Sequence, residues 1–320
     1  MVQKMDNLIK KYNISTVFFD RYFKQNAYNR YVVEMTKFMW EKKGKFLNPL
    51  KKDIYIEEFL KEEIENFYEK NILNIPQIEF SITTKCTLKC KECCAFIPKF
   101  NDCGHINLTF EDFKTYLDKI CDNVNKIRYL IFIGGEPLIN PELFKFVEYA
   151  SSKANIDLIR ITTNGTMIPN QNLINAVKQS EKTYFFISDY SKNSSLEPLL
   201  KFNELKEKLR ENNIKFQSME DMEWYPEIGF STNENQCKEM IKRTHECHRL
   251  KCTHIIDGVV DVCSKAFAGR KLGMINNDDY IDILNSKDLK SDFIKFYQEF
   301  PQACKYCMLS DKKIMPAEQL

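Results

Sequence analysis

Across 320 residues the sequence carries almost no net charge: 47 Lys and Arg stand against 45 Asp and Glu, a formal balance of +2. A field that small holds neither nucleic acid nor an anionic membrane, so neither partner is expected. Long hydrophobic runs are also missing, and no window approaches the roughly 18 apolar residues of a membrane span. The opening residues, MVQKMDNLIKKYN, lack the continuous apolar stretch of a signal peptide. A cytoplasmic location is therefore expected. No internal repeat or low-complexity tract breaks the chain, and 43% apolar content is enough for a substantial core in one large domain or two smaller ones.

Cysteine is not scarce. Twelve are present, and in a reducing compartment thiol buffers keep them from pairing, so metal ligation or redox chemistry is the leading explanation. Where they fall depends on the organisation of the chain. Residues 1–75 show few strand signals and several helical ones, including a segment rich in Tyr, Phe and Met from Arg21 to Trp40 and an amphipathic stretch from Ile56 to Tyr68. This is read as a helical N-terminal extension whose aromatic stripe serves core packing.

From Ile78 onward short apolar strands alternate with amphipathic helices: Ile78 to Thr83, Tyr129 to Ile133, Leu158 to Thr162, Tyr184 to Ser188 and Ile214 to Gln217. Such alternation argues an α/β fold of parallel units. Thr109 with Asp112 reads as a helix-capping pair, and Asn140 before Pro141 as a cap followed by a first-turn proline. The last third changes character. Asp257-Gly258 separates the apolar runs Thr253 to Ile256 and Val259 to Val262, which predicts a β-hairpin inside a cysteine-rich module. The composition divides the chain into 1–75, 76–230 and 231–320.

Cys86, Cys90 and Cys93 follow the first strand as C-x-x-x-C-x-x-C. Three thiolates suit three corners of a four-iron cubane and leave one iron open to a small molecule, whereas zinc normally takes a fourth ligand close by. Gly134-Gly135-Glu136-Pro137 closes the second strand, and Thr162-Thr163-Asn164-Gly165-Thr166 closes the third. In this order the motifs resemble the radical S-adenosylmethionine superfamily over roughly residues 78–310. The resemblance implies a partial (β/α)6 TIM-like barrel, a [4Fe-4S] cluster on the three cysteines, and S-adenosylmethionine held by Gly134, Gly135, Glu136, Thr163 and Asn164. It implies further polar contacts to the ribose from Ser188 and Asp189. One position departs from the family: Glu92 stands before the third cysteine, where members often place an aromatic residue against the adenine.

The C-terminal third holds Cys247, Cys252, Cys263, Cys304 and Cys307. A hairpin followed by C-x-x-C resembles the twitch domain, a shortened SPASM domain, which implies an auxiliary [4Fe-4S] cluster on four of these five thiols. The resemblance favours Cys247 as the first ligand, while the two-residue turn would set Cys252 opposite Cys263. A structural zinc site is the alternative reading, with His245, His248 and His254 nearby.

The resemblance also implies an activity. Reductive cleavage of S-adenosylmethionine yields a 5′-deoxyadenosyl radical that takes a substrate hydrogen, with a flavodoxin- or ferredoxin-type protein as the reductant. An auxiliary cluster able to receive an electron favours net dehydrogenation of a small molecule such as a sugar or cyclitol, as in the enzyme that oxidises an amino-cyclitol alcohol. Modification of a ribosomal peptide by a crosslink is the second reading. Epimerisation, with a spare thiol among Cys94, Cys103, Cys121 and Cys237 returning a hydrogen, is the third. A zinc-binding interaction protein is the reading outside enzymes.

Overall fold

The computed structural model describes residues 2–41, 48–220, 223–226, 229–233, 235–236, 238–239 and 247–320. Its centre is a mostly parallel sheet. Strands β1 (Asn74–Ile75), β2 (Ile78–Ser81), β3 (Lys126–Ile133), β4 (Ile156–Thr163), β5 (Thr183–Ser188) and β6 (Phe216–Met219) are followed by β7 (His254–Ile256), β8 (Val259–Asp261) and β9 (Ile281–Asp282). They run in the order β6-β5-β4-β3-β2-β7-β8-β9, with β1 pairing β3 beside β2. The five strands expected from alternation are all present, and the helices Phe110–Asn123, Leu143–Ser152, Gln171–Gln179 and Phe202–Glu211 connect them. Runs such as Tyr129 to Ile133 are apolar at successive positions because a parallel sheet is covered on both faces.

The sixth parallel strand comes from elsewhere in the sequence than simple barrel succession implies. It is β7, the first arm of the hairpin, and it lies against β2 on the side away from β6. The hairpin thus continues the main sheet. Asp257 (φ 54°) and Gly258 (φ 74°) form the tight turn between β7 and β8, both in the left-handed region that a two-residue hairpin requires. A side chain at Gly258 would also meet the Tyr116 ring at 2.9 Å.

Local signals placed the helices well. Thr109 Oγ1 accepts from the Asp112 amide at 3.1 Å, starting the helix that covers β2 and β3. Asn140 Oδ1 accepts from the Glu142 amide at 2.9 Å, so the turn begins there, although the helix itself starts only at Leu143.

The sheet has two differently filled faces. One carries Ile78, Phe80, Leu130, Phe132, Ile159, Ile161, Phe185 and Ile187 into the main core. The other carries Tyr129, Ile131, Leu158 and Tyr184 against Val33 of the helix Lys24–Glu41, with Trp40 edge-on to Tyr184 at 4.7 Å. Tyr22 and Phe23 pack with Phe18 and Phe67, so this part of the aromatic segment is core, as expected. Buried charges fix the helices. Arg128 pairs with Glu63 at 2.6 Å and Asp157 at 2.9 Å, while Arg21 donates to the carbonyls of Leu250, Phe296 and Glu299. No helix among the described residues is long and apolar enough to cross a membrane.

Candidate active site

The three motifs meet at the C-terminal ends of β2, β3 and β4. Glycine is obligatory at 134 and 135 because the backbone after β3 presses on the cysteine loop. A Cβ at Gly134 would lie 2.4 Å from the Thr83 carbonyl oxygen, and one at Gly135 would lie 2.1 Å from the Lys85 carbonyl oxygen and 2.9 Å from Cys86 Cβ. The amides of Gly135 and Glu136 donate to the carbonyls of Thr83 and Lys85 at 2.7 and 2.9 Å. The close approach that the glycine pair permits is therefore first of all to the chain's own cysteine loop.

Glu136 is fully buried, and its carboxylate is engaged within the protein. Oε1 accepts from the Leu138 amide (3.1 Å) and Thr163 Oγ1 (3.0 Å), and Oε2 from the Asn164 amide (2.8 Å). This leaves the partly accessible main chain of Gly134 and Gly135, more than the Glu136 side chain, facing outward. Burial pushes the Glu136 pKa up to about 7 against the pull of those three hydrogen bonds.

A carboxyl whose folded pKa lies above its unfolded value favours the fold most below the unfolded pKa of 4.5, and that contribution is lost as pH rises to about 7. The stability advantage of the metal-free wild type over Glu136→Gln is expected to shrink by about 3 kcal/mol between pH 4.5 and pH 7, then stay level. Denaturant melts of both proteins across that range measure it, and a gap independent of pH would contradict a buried, neutral carboxyl.

Asn164 joins the third motif to the cysteines: its Nδ2 donates to Cys86 Sγ at 3.6 Å and to Thr87 Oγ1 at 3.1 Å. Ser188 and Asp189 are buried at the end of β5. Asp189 is occupied by Lys206 Nζ at 2.9 Å and the Ser191 amide at 3.0 Å, and Tyr190 hydrogen-bonds Ser188. Cys90 is near enough to Cys86, and Cys93 near enough to Cys90, to feel its charge. Burial raises all three thiols, Cys90 to about 11.

Buried thiols with little local positive charge are poor anions alone and become thiolates on a cationic metal centre. Three such thiols on one loop, with the Gly-Gly backbone packed against Cys86, are a donor set that fits a cubane with an open iron.

Sequence reasoning missed one partner of this loop. The segment Pro316–Leu320 lies along it: the Lys91 amide donates to the Glu318 carbonyl at 2.8 Å and the Leu320 amide to the Lys89 carbonyl at 2.9 Å. Gln319 Oε1 accepts from the Lys89 amide at 2.7 Å, and its Nε2 lies 3.6 Å from Cys90 Sγ. No local pattern announces such a pairing across 230 residues of sequence. Cys94 also stands beside Cys90 and Cys93.

A second site lies about the hairpin. A pocket is lined by Cys247, Cys263, Cys304 and Cys307, with Phe230 and Leu250 among its apolar walls. Burial raises Cys263 to about 12 and Cys304 well above the ordinary thiol value. Cys252 is not among the lining residues. Its Sγ donates to Glu79 Oε1 at 3.5 Å, and the chain between Cys247 and β7 makes a 3-10 turn over His248–Lys251. The four thiols around the cavity are thus the set led by Cys247.

His254 does not reach this cavity; it is buried between Ser81 and Glu79 on the sheet. His245, Cys237 and the side chains of His248 and Cys103 lie outside the described residues. Cys121 is placed on the helix Phe110–Asn123, held by burial at about 11. Among the described residues no three His, Cys, Asp or Glu side chains are grouped for a single ion. A cubane does not require that, since it spreads its thiolates over separate irons.

Residues 80–189 match the family model described as Radical SAM superfamily. A GTP 3',8-cyclase of Clostridium acetobutylicum is 35% identical over 106 residues, which is 32% of this chain and 31% of that protein. A GTP 3',8-cyclase of Campylobacter lari is 33% identical over 100 residues, 30% of each chain. The chain therefore spans about a third of the length of the curated relatives it matches. Among solved structures, Streptococcus suis SuiB bound to S-adenosylmethionine is 12% identical with a TM-score of 0.44, over 86% of this chain and 77% of that one. BtrN in complex with AdoMet and 2-DOIA is 16% identical with a TM-score of 0.42, over 76% of this chain and 96% of that one.

Proposed function

Residues 80–189 belong to the radical SAM superfamily, and from that premise we propose that the chain is an oxidoreductase that abstracts hydrogen from a small hydroxylated molecule such as a sugar or cyclitol. We propose three resident groups: S-adenosylmethionine, a [4Fe-4S] cluster on Cys86, Cys90 and Cys93, and an auxiliary [4Fe-4S] cluster on Cys247, Cys263, Cys304 and Cys307. When bound, the first cluster and S-adenosylmethionine together supply a 5′-deoxyadenosyl radical. The observation that carries the oxidative reading is the second ring of thiols. Four protein thiolates leave a cluster no open iron, which suits it to receive an electron rather than a substrate.

The chain's own residues then have positional work. Gly134 and Gly135 fix the cysteine loop and offer main-chain groups to the amino acid end of the cofactor, while Asn164 braces Cys86. Ser188, hydrogen-bonded to Tyr190 at the end of β5, would meet the ribose as the resemblance implies, and Leu88 and Phe96 bury the loop against water. A flavodoxin- or ferredoxin-type protein is the reductant in this reading. Cyclisation of GTP is a second reading, favoured by the names of the curated relatives.

Anaerobically reconstituted protein tests the proposal. It is expected to be brown, to bind iron and sulfide for two clusters, and to form 5′-deoxyadenosine when reduced with S-adenosylmethionine. Colourless protein that takes up zinc and leaves the cofactor intact would overturn it, and GTP consumed in the same assay would favour the second reading.

Gln319 gives a finer check, because an N–H donated to a cluster sulfur favours the reduced, more negative state. Gln319→Leu is expected to retain the iron of the first cluster yet shift its midpoint potential to more negative values, followed by redox titration with electron paramagnetic resonance. An unchanged potential would remove Gln319 from the cluster's surroundings.

A further inference from the structure

On the sheet face turned away from the main core, the strand register assembles a polar patch that the motifs do not include. His254 pairs in register with Glu79, Ile131 with Arg160, and Arg160 with Tyr184, while Thr162 is level with Phe186. Parallel register puts such partners on one face. Most of this face is closed by the helix Lys24–Glu41, but Glu79, Ile133, Arg160, Thr162 and Phe186 stay partly accessible as a group. Ile133 immediately precedes Gly134, and Thr162 precedes Thr163-Asn164, so the opening lies directly beneath the cofactor motifs.

The patch is built, yet incomplete. Glu79 is held in place by Gln77 Nε2 at 2.7 Å, His254 Nδ1 at 3.5 Å and the Cys252 thiol, and Ser81 Oγ meets His254 Nε2 at 3.1 Å. Those contacts use most of the four or so lone-pair positions of a carboxylate and leave about one free. Facing it, Arg160 lies over the Phe186 ring at 5.0 Å and exerts its charge on Glu79. Arg160 Nε and Thr162 Oγ1 are buried atoms with no hydrogen-bond partner. Buried donors left unsatisfied are costly, so two on one face of one strand mark where a ligand supplies acceptors.

We propose that this patch is the substrate site and that it takes a neutral, polyhydroxylated small molecule. The inference rests on the reading of the chain as a radical enzyme and names the substrate class of that same site. Charge selects the class. Glu79 and Arg160 balance each other, so the patch has no surplus of positive charge for a phosphate or triphosphate. It presents donors on β4 and an acceptor on β2, with Ile133 of β3 as an apolar floor between them and Phe186 of β5 as an apolar wall beside Arg160. Hydroxyls that both donate and accept, on a ring with apolar C–H faces, complement that arrangement. Two strand spacings, about 10 Å between the backbones of β2 and β4, leave room for one such ring. His254 is a positioning residue that holds Glu79.

The test uses reconstituted enzyme with S-adenosylmethionine and saturation-transfer nuclear magnetic resonance. The probes are a panel of unphosphorylated hexoses, amino sugars and cyclitols, with GTP and a mixed-sequence linear peptide as separate arms. At least one polyol is expected to bind at millimolar concentration or below, with at least a tenfold loss of affinity in Arg160→Ala and in Thr162→Val and partial recovery in Arg160→Lys. Thr162→Val, close in volume, keeps the test open should Arg160→Ala fail to fold. Absence of polyol binding, binding of GTP or peptide in place of the polyols, or polyol binding unaffected by Thr162→Val and Arg160→Lys would each overturn the inference. The response of the first cluster's resonance signal to S-adenosylmethionine, recorded on the wild type, keeps the two proposals apart. If that response is present while polyols do not bind, the radical-enzyme reading stands, and this site and the hydroxylated substrate class both fail.

Discussion

Replacement of Cys86, Cys90 and Cys93 together by alanine is expected to reduce S-adenosylmethionine cleavage to background and to lower the iron content from about eight to about four per chain, the content of one remaining [4Fe-4S] cluster. The cofactor is split only where an iron lacks a protein thiolate, and that iron exists only if three thiolates hold the other corners. These thiols are held where burial disfavours their free anions, so they offer little to solvent and much to a metal. The variant is expected to fold. The loop's backbone bonds to Gly135, Glu136 and the 318–320 segment do not pass through sulfur. Iron analysis and chromatographic measurement of 5′-deoxyadenosine decide the matter, and retained cleavage would refute the assignment of the first cluster.

Much of this site was legible because its constraints are local. Strand alternation from Ile78 to Gln217 reflects a sheet buried on both faces, and the order of the cysteine, glycine and threonine-asparagine motifs reflects loops at one end of successive strands. The Asp257-Gly258 turn was equally visible, since few other pairs tolerate two successive left-handed residues. What was hidden depends on distant pairing. Nothing near His254 states that β7 adds to β2 and so brings it to Glu79, 175 residues away. The same pairing sets the Cys252 thiol against Glu79, while Cys247 lines the pocket with Cys263, Cys304 and Cys307. Arg21, buried in an N-terminal helical segment, caps carbonyls beside the C-terminal helices, a partnership across more than 200 residues that nothing near it in sequence states. Glu136 belongs to this class too, since its place in a motif gives no hint that its carboxylate is used inside the protein.

The second large effect is expected from Cys304 and Cys307, and Cys252 provides its contrast. The double variant Cys304→Ala with Cys307→Ala removes two of four thiols from the hairpin cavity and is expected to lose the auxiliary cluster and product formation while cofactor cleavage continues at a measurable rate. A radical left on substrate without an electron acceptor has no oxidative exit, so cleavage becomes uncoupled from product. Cys252→Ser is expected to keep both clusters, because that thiol contacts Glu79 outside the cavity and a hydroxyl preserves the donor. Iron content, electron paramagnetic resonance of the two centres and the ratio of product to 5′-deoxyadenosine separate the outcomes. Loss of a cluster in Cys252→Ser would transfer the ligand role from Cys247 to Cys252. Full turnover without Cys304 and Cys307 would remove the electron-accepting role altogether, because the remaining thiols of the cavity, Cys247 and Cys263, are too few to ligate every iron of a cubane.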